Sequence, residues 1–209
     1  MDKPAAKTLF AEAGLKCAGG KIMTRKQILE GEDYPAPLVI KPLNEGSSVG
    51  VTILLENENQ ALKDVPWTFG NKVLVETYVP GREIQVAVMG DEPLGAVEIR
   101  PLGRFYDYEA KYTSGKAEHL MPAPLDKERY DEVMQMALTA HQVLGCRGVS
   151  RADFRYDDTP GGTGEFYILE TNTQPGMTEL SLVPEIAGYA GISFEDLVRW
   201  MVEDATCDR

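Results

Sequence analysis

The sequence is short of paired cysteines, long apolar runs and basic charge, and each shortage removes a class of protein. Cys17, Cys146 and Cys207 are odd in number and form no C-x-x-C. They fit unpaired thiols in a reducing, cytoplasmic setting and not a disulfide framework. No apolar run approaches the roughly 18 residues of a membrane span, and no signal-like apolar stretch opens the chain. A membrane partner is not expected. Lysine and arginine number 21 against 33 acidic residues, for a net charge of -12. Nothing there offsets phosphate repulsion and no basic stripe is present, which excludes nucleic acid as a partner. An anionic ligand would need cations placed locally. Internal repeats, low-complexity tracts and the G-x-x-x-x-G-K-[ST] phosphate loop are all missing.

What remains is an ordinary globular composition, 43% hydrophobic over 209 residues, enough for one large domain or two small lobes with real cores. Residues 2–13 read as a helix capped by Asp2 and stopped by Gly14. Thr24 to Gln27 match a capping box that opens a short helix. Strands are expected over 37–41, 49–54, 72–79, 83–90 and 93–101, with a polar helix over 57–65 and a turn at Pro80-Gly81. Residues 102–122 read as one long polar-aromatic loop, a length typical of lids. Asp126 caps a helix whose stripe runs Tyr130, Val133, Ala137, His141, Leu144, with Gly145 at its end. His141 fits the edge of a core better than a ligand site. Two strands and two further helices follow, the last opening at Ser193 with Asp196 at its third position. Strands and helices mix without a βαβ rhythm, so the fold class is α+β. A boundary near residue 80 divides a small lobe, 1–79, from a larger one, 80–209.

The stretch "KPLNEGSSVG", residues 41–50, follows a buried-type strand. Its glycines and serines fit a surface turn. They also fit a cradle in which backbone N–H groups, hydroxyls and Lys41 surround an anion.

"VSRADFRY" (149–156) and "EFYILETNT" (165–173) flank a turn-rich connection and read as a hairpin. Alternation places Val149, Arg151, Asp153 and Arg155 on one face of the first strand. It places Phe166, Ile168, Glu170 and Asn172 on one face of the second. Centring the hairpin near Gly161 and Gly162 sets Asp153 opposite Glu170. Facing carboxylates repel unless a proton or cation sits between them, and Asp, Glu and Asn oxygens suit Mg²⁺ or Mn²⁺. A solvated face with an Arg–Asp ion pair is the alternative, although Glu170 ends a core-like run. Further on, Thr178 and Ser181 precede a helix start that fits either plain capping or a carboxylate site.

Taken together, "MDK" at the start, "KPLNEGSSVG", "FYDYEAKY", "RADFR", "LETNTQPGMTELSLVP" and "AGISFEDLV" resemble the D-alanine–D-alanine ligases of the ATP-grasp superfamily, in order and at matching spacing. The resemblance covers nearly the whole chain. It implies two α+β lobes whose antiparallel sheets grip ATP. It implies that Lys3 and Lys41 contact phosphates, that Glu76 and the backbone of Thr77 to Val79 serve the purine, and that Glu83 takes the ribose hydroxyls. Family members often carry Lys-Trp-Leu where this chain has Thr77-Tyr78-Val79. The resemblance also assigns two Mg²⁺ or Mn²⁺ ions to Asp153, Glu170 and Asn172, with Glu170 bridging. Arg151 would stabilise the developing oxyanion, and Ser181 and Leu182 would bind the second D-alanine's carboxylate. Ser47 and Tyr112 would close a lid that excludes water.

The implied chemistry is phosphorylation of one D-alanine carboxylate by ATP, then attack by the amine of a second, giving a D-Ala-D-Ala peptidoglycan precursor. Family members carry a further N-terminal domain of about 90 residues, a figure the resemblance alone implies, that helps bind the first D-alanine. They allow a homodimer at full length. This chain starts at the segment that follows that domain, so it is expected to keep the ATP and metal machinery and to be a poor ligase alone. Two alternatives stand beside this one. The first is a D-alanine–D-lactate type ligase, which Tyr112 disfavours. The second is a nucleotide-binding module without catalysis of its own.

Overall fold

Asp2 accepts a hydrogen bond from the Ala5 N–H and opens α1 (Lys3–Glu12), which ends before Gly14 at φ 80°. The computed structural model describes residues 2–46, 48–56, 65, 70–101, 117–178 and 181–206. The expectations for Ser47 and Tyr112, and most of the polar helix expected over 57–65, lie outside these residues.

Two antiparallel sheets organise the described chain. The first holds β1 (Gly20–Thr24), β2 (Leu38–Pro42), β3 (Thr52–Leu54) and β4 (Lys72–Thr77), in the order β1-β4-β2-β3. Thr24 and Gln27 form the reciprocal capping box that starts α2 (Arg25–Leu29). The second sheet holds β5 (Arg82–Met89), β6 (Glu92–Pro101), β7 (Ala117–Leu120), β8 (Val149–Tyr156) and β9 (Phe166–Asn172), in the order β7-β6-β5-β8-β9. Between β8 and β9 the Asp157 carboxylate accepts from Thr159 and Thr163 and knits the turn together. Helices α3 (Lys127–Val143), α4 (Leu182–Tyr189) and α5 (Phe194–Asp204) complete the α+β architecture. Two strand boundaries differ from expectation. The strand expected over 49–54 pairs only from Thr52, after a turn. The long loop expected to Pro122 gives way to β7, whose Glu118 and His119 pair with Arg100 and Ile99. Its sequence, AEHL, has no apolar alternation to announce a strand.

The larger sheet is covered unequally. One face packs Ile84, Val86, Ala152, Phe154, Phe166 and Ile168 under α3. Phe10 and Leu15, at and just beyond the end of α1, join that core and not the core of the first sheet, although they precede it in sequence. The other face is apolar only in part. Ala87, Val97 and Val149 lie under α4 and α5, while Glu83, Gln85, Asp153 and Arg155 continue the same face as a polar surface, as strand alternation requires.

A register irregularity overturns part of the expected hairpin face. Asp153 pairs with Glu170, but Phe154 pairs with Ile168, so Leu169 is an extra residue. This bulge separates the four residues expected on one face. Phe166 and Ile168 point into the core, whereas Glu170 shares the face of Asp153. The core-like run can therefore end in a carboxylate without burying it among apolar side chains.

His141 is buried on α3 and its Nδ1 lies 2.7 Å from Ser150 Oγ on β8. Burial lowers its pKa below the ordinary histidine value. The unfolded chain therefore takes up this proton more readily than the folded one. The stabilising contribution is complete above the unfolded pKa and is lost as pH falls below it toward the folded value. Melting temperatures taken from about pH 7.5 to about pH 5 should decline, because that window spans histidine titration. His141→Gln, which keeps a partner for Ser150, should make the decline shallower. An unchanged pH slope would show that another group carries it.

Candidate active-site cleft

Between the two sheets lies a cleft of about 410 Å³, lined from the first sheet by Val39, Lys41 and Glu76 and from the second by Glu83, Asp153 and Glu170. Its size is that of a small-molecule site. Glu76 is 4% exposed. Its Oε2 lies 2.7 Å from Lys41 Nζ, and its Oε1 accepts from Lys7 Nζ, which also donates to the Ala18 carbonyl at 2.7 Å. Burial works to raise its pKa, but the two ammoniums outweigh it and hold the carboxyl below its usual range. Gly20 stands opposite Glu76 in the β1–β4 ladder.

Lys3 reaches the same space from the first turn of α1 and donates to the Glu45 carbonyl. Burial lowers its pKa first, Glu170 pulls it back up, and Lys41 adds a further lowering. Lys3 therefore feels charges on both walls. The segment after residue 41 also lines the cleft through Glu45, Ser48 and Val49. Ser48 takes the left-handed φ of 58° and Gly50 a φ of 73°, with Val49 and Val51 N–H groups closing turns onto the Gly46 and Ser48 carbonyls.

The connection between the sheets is pinned from β8. Arg155 donates to the Val79 carbonyl at 3.1 Å and the Gly81 carbonyl at 2.7 Å, and lies over the Tyr78 ring. Gly81 has φ 90°, and a Cβ there would meet the Tyr156 carbonyl at 2.0 Å, so only glycine fits this crossing. The Thr77 and Tyr78 N–H groups are taken by the Gly19 and Pro37 carbonyls. That narrows the expected backbone contact over Thr77 to Val79: of these three N–H groups, that of Val79 meets no carbonyl among the described residues. Glu83 lines the cleft and accepts from Gln85 Nε2 at 2.9 Å.

On the second wall Asp153 is 4% exposed and directly opposite Glu170. Arg151 grips it with two bonds, Nε to Oδ1 at 2.8 Å and Nη2 to Oδ2 at 3.0 Å, and Asn172 Nδ2 donates to Oδ2 at 3.3 Å. Among the described residues no three His, Cys, Asp or Glu side chains gather as a metal site. The donor set is two carboxylates and an amide, all hard oxygen ligands. Carboxylate oxygens carry two lone pairs each, so Asp153 can accept from Arg151 and still offer one to a cation. The residues present therefore fit a divalent ion.

Ser181 occupies the N-cap position of α4 but its side chain makes no capping bond there; its Oγ instead accepts from the Thr178 N–H at 2.9 Å. The Leu182 side chain is buried in the core, which leaves only its backbone for a ligand.

Three comparisons bear on this arrangement. Residues 12–203 match the family model described as the D-ala D-ala ligase C-terminus. A D-alanine–D-alanine ligase of Paramagnetospirillum magneticum is 55% identical over all 209 residues, which span 68% of that relative. The chain belongs to the D-alanine–D-alanine ligase family. It corresponds to the C-terminal ATP-grasp part of those ligases. Among solved structures, the D-alanine–D-alanine ligase of Bacillus anthracis superposes with a TM-score of 0.78 at 29% identity, covering 97% of this chain and 66% of that one. The VanG D-Ala:D-Ser ligase of Enterococcus faecalis gives 0.77 at 34% identity, covering 97% and 61%.

Arg155, in the cleft lining, and Lys7, behind Glu76 and outside that lining, are residues to which sequence reasoning gave no role. A signal for Lys7 existed: it stands four residues after Lys3 and so shares its helix face. Gly20→Ala tests the wall that carries Glu76. The new Cβ would sit 2.5 Å from the Val75 carbonyl and 2.9 Å from Glu76 Cγ. It should destabilise the chain by about 1–3 kcal/mol through overpacking, seen as a lower melting temperature. An unchanged melting temperature would mean that β1 does not lie this close to β4.

Proposed function

We propose that the chain binds ATP with Mg²⁺ or Mn²⁺ in this cleft and that, in the full-length ligase, the site joins two D-alanines through an acyl phosphate. The observation that carries the proposal is the facing of Asp153 and Glu170 on one wall against Lys3 and Lys41 on the other. Lys3 and Lys41 would hold phosphate oxygens, Glu83 the ribose and the Val79 N–H the purine. Asp153, Glu170 and Asn172 would hold the divalent ions, which when bound neutralise phosphate charge. Arg151 would share its guanidinium between Asp153 and the oxyanion that develops at the substrate carbonyl. Ser181 and the backbone of Leu182 would hold the second substrate's carboxylate at the N-terminus of α4. The resemblance assigns lid closure to Ser47 and Tyr112. Product would feed peptidoglycan precursor synthesis.

The likeness to the VanG ligase supports a second reading of the acceptor, with D-serine in place of the second D-alanine. Product analysis with D-alanine, D-serine and D-lactate offered together to a full-length enzyme separates these.

Calorimetric titration of ATP should show binding that tightens with Mg²⁺. Glu170→Gln should weaken the Mg²⁺-dependent part by about tenfold or more, since it removes charge from a ligand. Folded chain that binds no ATP in either condition overturns the proposal. Binding without D-alanine-dependent phosphate release favours a nucleotide-binding part over a complete catalyst.

A further inference from the structure

We propose that Lys7 is a positioning residue that keeps Lys41 available for an anionic ligand, acting through Glu76; this rests on the ATP reading of the cleft. Glu76 presents one oxygen to each lysine, Oε1 to Lys7 and Oε2 to Lys41. All three side chains are largely removed from water, at 18% exposure for Lys7, 14% for Lys41 and 5% for Glu76. A buried carboxylate must be matched by cations. With Lys41 as its only partner, Glu76 would neutralise that ammonium and turn both oxygens to it. The pair would then carry no net charge toward the cleft. With Lys7 present the group of three carries one net positive charge. The Glu76 anion is shared, and Lys41 keeps N–H donors and field for a phosphate oxygen.

Lys7 is well built for this and poorly placed to act directly. Its ammonium is fixed at two acceptors, Glu76 and the Ala18 carbonyl. Ala18, Lys41, Glu76 and Lys3 line the cleft, whereas Lys7 does not. It therefore influences a ligand only through Glu76. A purely structural role, gluing α1 to β4, predicts something different. Loss of glue would disturb every ligand alike, whereas loss of charge balance would disturb phosphate binding alone.

The test uses wild-type chain, Lys7→Met, Lys7→Arg and the double variant Lys7→Met with Glu76→Gln, each shown to be folded by its melting curve. Binding of ATP, inorganic tripolyphosphate and adenosine is measured by calorimetry. Lys7→Met should weaken ATP and tripolyphosphate by about tenfold, the effect of one charge-assisted contact, and adenosine by less than about twofold. Lys7→Arg should recover most of the loss. The double variant should recover tripolyphosphate binding to within a few fold of wild type, because no anion then neutralises Lys41. Equal losses for adenosine and tripolyphosphate, or no recovery in the double variant, overturn the inference and leave Lys7 as structural glue. If Lys7→Met does not fold, the arginine and double variants decide the matter on the same criteria. Wild-type chain that binds neither ATP nor tripolyphosphate overturns the nucleotide reading itself, and the positioning role with it.

Discussion

A carboxylate shut away from water has to be matched by cations, and Glu76 is matched twice. The constraint reaches beyond the cleft because its partners come from different places. Lys41 belongs to the same sheet as Glu76, on the neighbouring strand. Lys7 belongs to α1, whose Phe10 is buried in the core of the other sheet. The ion group therefore fastens the helix of one sheet to a central strand of the other. Arg155 fastens the opposite side, from β8 to the carbonyls of the connecting segment. Between these two ties, charged side chains of both sheets line one cleft. Across the cleft, Glu170 on the second wall works against the lowering that burial imposes on the Lys3 pKa.

The second wall depends on one extra residue. Regular pairing of β8 with β9 would have kept Ile168 and Glu170 on the same side. Either the carboxylate would enter the core or the isoleucine would enter the cleft, and both are unfavourable. The bulge at Leu169 separates them, so the strand can serve a core under α3 and a polar site at the same time. Bulges beside sites commonly re-aim a side chain in this way. Asp153 then stands opposite Glu170 with Arg151 and Asn172 around it, and the like charges of the pair are not left facing each other alone.

What the sequence made legible was local. Helix caps at Asp2, Thr24, Asp126 and Ser193 depend on residues three apart and appear where expected. The opposition of Asp153 and Glu170 follows from a hairpin turn, also local. What the sequence hid was decided at a distance. The bulge breaks the alternation on which the face assignment rested. The N–H groups of Thr77 and Tyr78 are consumed by carbonyls about 40 or more residues earlier in the chain, at Gly19 and Pro37. Lys7 looks like one more surface lysine on a helix until the fold supplies Glu76. Strand β7 exists because β6 offers it an edge and not because its own residues prefer it.

The net charge of -12 and an anionic ligand look incompatible until distance is considered. At physiological ionic strength, charges separated by more than about 8 Å are largely screened, whereas close and partly buried pairs are not. The acidic excess is therefore a weak, long-range term at the cleft. Lys3 and Lys41 act at contact range, with part of their solvation already removed on folding, and Lys7 offsets the buried carboxylate beside them. A chain of this composition could not hold an extended polyanion, which would meet the acidic surface along its length. It can hold a compact one, because the few cations that matter are gathered in one place and the anion that would silence them is already matched.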